Sequence, residues 1–151
     1  MVVHDDWFAM ALFTSGDSLS YRSLVRVEGA WSQRGGGGAG GGGLGRRLTA
    51  GSGAGWSSRV RNPGAFASVE VHGTVGPGIE RVQVEFDDGH LEDAAVGDGV
   101  YAWFYARMPP PRRPPSNDHY ARELLGAEPT HVIGFGIDGS EIARQNLRPP
   151  F

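Results

Sequence analysis

Apolar and polar residues take turns along much of the stretch from 66 to 108. Val69, Val71 and Val75 alternate with Ser68, Glu70, His72 and Thr74, and Val82, Val84 and Phe86 alternate with Arg81, Gln83 and Glu85. A period of two sends successive side chains to opposite faces of a strand, so the pattern predicts a half-buried antiparallel meander with the valines inside. The segment Val100 to Met108 breaks the alternation by being apolar on both faces. Val100, Ala102, Phe104 and Ala106 line one face, and Tyr101, Trp103 and Tyr105 line the other. This is the pattern of a central strand in a two-layer fold.

Turn chemistry divides the strands. Gly76-Pro77-Gly78 and Gly97-Asp98-Gly99 punctuate the meander, and Asp88-Gly89 suits a two-residue type I′ hairpin. That register sets Phe86 against Leu91, Glu85 against Glu92, and Val84 against Asp93. An acid on the core side predicts a slip or bulge after Glu92. Downstream, Thr130 to Ile137 and Glu141 to Leu147 form a hairpin about Asp138-Gly139. Between the two hairpins, Pro109 to Pro115 holds five prolines in seven residues, which imposes extended backbone without ladder hydrogen bonds. Ser116 or Asn117 caps a short helix running to Leu125, with Tyr120 and Leu124 on one stripe and Gly126 as its stop.

Upstream, Trp7 to Phe13 is a short apolar run, and a second strand extends from Tyr21 to Trp31 with Val25, Val27 and Trp31 on one face. Nine of the eleven residues from Gly35 to Gly45 are glycine. Such a run buries no side chains and loses the most backbone entropy on ordering, which predicts a flexible loop over 32–65. It lacks the Gly-Lys-Ser/Thr of a phosphate-binding loop. Taken together, the pattern predicts an all-β protein. It is an antiparallel β-sandwich, loosely Ig-like, of about eight short strands with one helix near 117–125. Residues 66–151 form its core, and strands from residues 1–31 complete it.

Composition removes several functions. The 151 residues carry 14 arginines, no lysine, 17 acids and no cysteine. The exclusive use of arginine fits a high-GC genome. A formal charge of -3 is too balanced to point to nucleic acid or an anionic membrane. Without cysteine there is no disulfide, thiolate metal site or thiol catalysis. Seven apolar residues at the N-terminus are too few for a membrane span and short for a signal peptide. The default expectation is therefore a cytoplasmic protein with no membrane segment; a leader lost to a misassigned start codon would change the compartment.

The segments His72-Gly73-Thr74-Val75-Gly76-Pro77-Gly78, Phe86-Asp87-Asp88-Gly89-His90, Gly99-Val100-Tyr101-Ala102-Trp103-Phe104 and Phe135-Gly136-Ile137-Asp138-Gly139-Ser140 carry a resemblance. Over roughly the C-terminal half, the chain resembles a group of small actinobacterial all-β domains with a Gly-x-Val-x-Pro turn, an Asp-Gly hairpin and an aromatic strand. The resemblance implies a fold and no reaction, and no catalytic residue follows from it.

Few residues invite chemistry. Tyr101, Trp103 and Tyr105, two apart on one strand face, make a stacking platform if exposed and a core anchor if buried. Arg112 and Arg113, inside the proline run, suit a partner's proline-binding groove. His4, His72, His90, His119 and His131 show no paired metal-ligand spacing, and Asp87-Asp88 lacks the calcium-loop pattern. Ser15, Ser68, Ser140, Glu70, Glu85 and Glu92 sit in no nucleophile elbow, and no acid has a context that predicts a raised pKa. No cofactor and no metal are expected. The leading expectation is a non-catalytic interaction or structural module for a protein partner. The alternative is a carbohydrate- or small-ligand-binding sandwich using Tyr101, Trp103 and Tyr105.

Overall fold

Strands form wherever the sequence alternates, and they assemble into two sheets. The computed structural model describes residues 1–16, 18–39, 47–56, 65–110 and 120–147, with the side chains of 39, 55 and 56 left aside. Arg112, Arg113, the proposed caps Ser116 and Asn117, His119 and most of the second half of the glycine run lie outside the described residues. Four strands, β1 (Val2–His4), β2 (Phe8–Ser15), β3 (Ser18–Val27) and β4 (Ala30–Ala39), pair in sequence order as one antiparallel sheet. Seven more, β5 (Gly51–Trp56), β6 (Ala67–Thr74), β7 (Arg81–Phe86), β8 (Leu91–Gly97), β9 (Val100–Arg107), β10 (Pro129–Phe135) and β11 (Glu141–Asn146), form the second in the order β11-β10-β7-β8-β9-β6-β5. One short helix, α1 (Tyr120–Leu125), precedes β10. The fold is an all-β, sandwich-like arrangement.

The seven-stranded sheet turns a corner at β8. Its first half pairs with β7 (Val82 opposite Ala94) and its second half with β9 (Ala95 opposite Ala102). A strand shared between two half-sheets lets the valine faces of β6, β7 and β10 converge. Val69, Val71, Val82, Val84 and Val132 are fully buried there, and Tyr120 and Leu124 of α1 close the cluster. Gly126 ends the helix at φ +83, and its amide donates to the Arg122 carbonyl at 2.8 Å.

Two hairpins differ from the expected turn type. Phe86 N–H donates to the His90 carbonyl at 3.0 Å and Gly89 N–H to the Phe86 carbonyl at 2.9 Å, so the loop has three residues, Asp87-Asp88-Gly89, with a left-handed glycine last. The Ile137-Asp138-Gly139 loop repeats this pattern. The extra residue moves the register by one: Glu85 faces Leu91, Val84 faces Glu92 and Gln83 faces Asp93. Glu85 and Glu92 do not oppose each other, and the acid on the Val84 side is now Glu92, which stays half exposed and accepts from Trp103 Nε1. Among the described residues, the two-residue turns with both φ positive are Glu28-Gly29 and Asp98-Gly99. The first of these splits the strand expected from Tyr21 to Trp31, so Trp31 belongs to β4 and stands opposite Arg26.

Part of the glycine run is strand. Gly35 to Gly38 pair with Ser23 to Ser20 of β3. A Cβ at Gly36 would come within 2.6 Å of the Tyr21 carbonyl oxygen, and one at Gly37 within 3.0 Å of the Tyr21 ring. Backbone partners and close approach make these glycines strand residues despite their entropy cost.

Candidate functional site

The four-stranded sheet has an inner face that packs on β6 and β9 and an outer face that packs on nothing described. Phe8, Met10, Leu12, Leu19 and Val25 point inward and meet Val100, Ala102 and the half-buried Phe104 of β9. The Phe8 and Phe104 rings lie 4.9 Å apart. β9 is therefore covered on both faces, as its doubly apolar sequence predicts. Tyr101 and Trp103 fill the other core; they are 0% and 6% exposed. The Tyr101 hydroxyl donates to the Thr49 carbonyl at 2.8 Å, and Trp103 Nε1 donates to Glu92 Oε2 at 2.8 Å. Each ring is buried while its polar atom finds a partner. This corrects the platform expectation: only Tyr105, 40% exposed, is open on that strip.

Where β3 crosses β6, the inner layer is polar. Ser68, Glu70, His72 and Thr74, which alternation assigns to a solvent face, are all buried, because the second sheet covers them. Ser23 and Ser68 donate to Glu70 Oε1 at 2.9 and 3.0 Å, and Ser23 does so from the opposite sheet. Burial raises the Glu70 pKa, and the two serine hydrogen bonds pull it back only in part. No nearby charge signals this in the sequence; it arises when a second sheet removes water from the carboxyl. Burial likewise drives His72 down to about 4 and leaves its Nδ1 without a hydrogen bond. The Tyr21 ring lies 4.3 Å from the His72 ring, and burial followed by the Glu70 charge raises its pKa. A Cβ at Gly53 of β5 would meet Tyr21 Oη at 2.9 Å and Glu70 Oε2 at 3.4 Å, so glycine there makes room for both groups.

The outer face is built by the same register read from the other side. Opposite the inward Phe8–Val25 pair, the alternate pairs Ala9–Leu24, Ala11–Arg22 and Phe13–Ser20 point out. β1 adds Val2 beside Ala11, and β4 adds Trp31 beside Arg26. Val2, Phe13 and Trp31 are 62%, 55% and 42% exposed. Ala9 and Ala11, in the middle of the face, are buried among their neighbours. Five residues of β3 lie between the Phe13 partner, Ser20, and the Trp31 partner, Arg26, a span of about 20 Å along the strand.

The remaining polar clusters pair internally. Glu85 accepts from Arg144 at 2.6 Å and meets His131 at 3.0 Å. Asp87 pairs with Arg122, and His90 with Asp88, stacked 4.1 Å above Phe86. Among the described residues no group of three or more histidines and acids gathers as a metal site, and no helix is long and apolar enough to cross a membrane. Compared with known proteins, the chain matches no family model, no curated protein and no solved structure.

Proposed function

We propose that this protein is a non-catalytic interaction module that holds a protein partner against the outer face of its four-stranded sheet. The observation that carries this reading is the exposure of Val2, Phe13 and Trp31 on one face of a sheet whose opposite face is committed to the core. Large apolar side chains exposed at both ends of one sheet face, with small residues between them, favour an interaction surface over a solvated one. The alternative, a ligand platform on Tyr101, Trp103 and Tyr105, loses support because two of its three rings are core. In the buried seam around Glu70 both serine hydroxyls donate to the carboxyl, Ser23 from the opposite sheet and Ser68 from the same strand, which fits a structural role.

Site-specific photocrosslinking tests this. A benzoylphenylalanine at position 13 should give a light-dependent protein adduct that Trp31→Asp diminishes. The same probe at position 137, where Ile137 is 93% exposed on a hairpin tip, serves as the comparison. Equal adducts from both positions, or none from position 13, would refute the assignment.

A further inference from the structure

The charge of the chain is divided between its two ends. Residues 1–65 hold seven arginines and four acids, whereas the rest hold seven arginines and thirteen acids. The split is sharper on the four-stranded sheet itself: β1 to β4 carry Arg22, Arg26 and Arg34 and not one carboxylate. Arg22 and Arg26 stand on the outer face, each opposite an apolar residue of a neighbouring strand, Ala11 and Trp31. Arg122 of α1 and Arg144 of β11 are ion-paired, whereas Arg22 donates to the carbonyl of Tyr21 and meets no carboxylate among the described residues. A chain of net charge -3 thus presents a sheet face whose strands carry only cationic charges, with the described acids Asp5, Asp6 and Glu28 confined to its connecting turns and none of them ion-paired with Arg22 or Arg26.

We infer that the partner of this face is an acidic polypeptide segment carrying apolar side chains. This rests on the interaction reading above and narrows it by charge complementarity. Unpaired arginines beside an apolar strip favour carboxylates at the rim and apolar groups at the centre, and they steer a negatively charged partner into place. Nucleic acid fits less well. A duplex binder normally neutralises a run of phosphates with several basic groups, whereas the four strands carry three arginines, Arg22, Arg26 and Arg34.

The test uses a fluorescently labelled random copolymer of glutamate and tyrosine, followed by anisotropy at low salt. Binding should weaken at least tenfold in the Arg22→Glu/Arg26→Glu double variant and in half-molar sodium chloride. It should stay unchanged in Arg81→Glu, whose guanidinium lies over Phe135 on the other body. Undiminished binding by the double variant overturns the inference. So does tighter binding of single-stranded DNA than of the copolymer at this face, or salt-sensitive self-association in sedimentation that the double variant abolishes, since the occupant would then be a nucleic acid or a second copy. A crosslink from position 13 that is indifferent to the charge reversals would sink the acidic partner and leave the interaction face standing. Absence of that crosslink would sink the face itself.

Discussion

Replacing Glu70 by glutamine should steepen a pH dependence that its carboxyl opposes in the intact protein. His72 is buried and neutral, with its pKa lowered from 6.5 to about 4 by desolvation. Between these values the unfolded chain binds a proton that the folded chain refuses, so this histidine makes stability rise with pH from about 4 to 6.5 and fall as the medium acidifies. Each pH unit across that gap is worth about 1.4 kcal/mol, which makes about 3 kcal/mol in total. Glu70 acts in the opposite sense. Its folded pKa lies above 4.5, so its contribution is complete below that value and is lost as pH rises through the folded pKa. The two groups sit two residues apart on β6 and act in opposite senses above pH 4.5. Glu70→Gln removes one side of the balance while keeping an acceptor for Ser23 and Ser68. Urea midpoints measured from pH 4 to 7 should then climb by about 3 kcal/mol more for Glu70→Gln than for Glu70→Gln/His72→Phe, the second variant subtracting the surface acids. Parallel profiles for the two variants would refute the burial argument.

Other expectations follow from packing. Trp103→Ala should cost about 3–5 kcal/mol in urea unfolding, since it empties a core position and strands Glu92. Gly73→Ala should destabilise by at least about 2 kcal/mol, because its Cβ would sit 2.1 Å from the Thr49 carbonyl oxygen. Gly134→Ala should cost less, since the obstruction is Cδ1 of Ile79, the free end of a side chain that can move. Ser23→Ala should lose about 1–3 kcal/mol by removing the inter-sheet donor to a buried carboxyl. Phe13→Ser and Trp31→Ser should leave the urea midpoint within about 0.5 kcal/mol while lowering partner binding; a marked loss of stability would mean that the outer face is already covered by the chain itself.

Local chemistry determined much of this protein. The period of two in β6, β7 and β10, the doubly apolar β9, Gly126 after α1 and the two Asp-Gly hairpins are all legible, because strand direction and turn angle depend on neighbours a few residues away. Hairpin register was not: whether Asp88-Gly89 closes with two residues or three depends on Phe86 and His90 bonding across the loop, and that single residue decides where Glu92 points. Only the tertiary structure decided which faces meet water. Ser68, Glu70, His72 and Thr74 read as a solvent face, yet a second sheet lies over them; Trp31 reads as sharing the face of Val25 and Val27, yet a turn moves it to the next strand and to the outer face. Alternation separates two faces of a strand without saying what covers each one. That is set by contacts between residues far apart in the chain, such as Ser23 with Glu70, and it shapes both the buried seam and the open face proposed to bind.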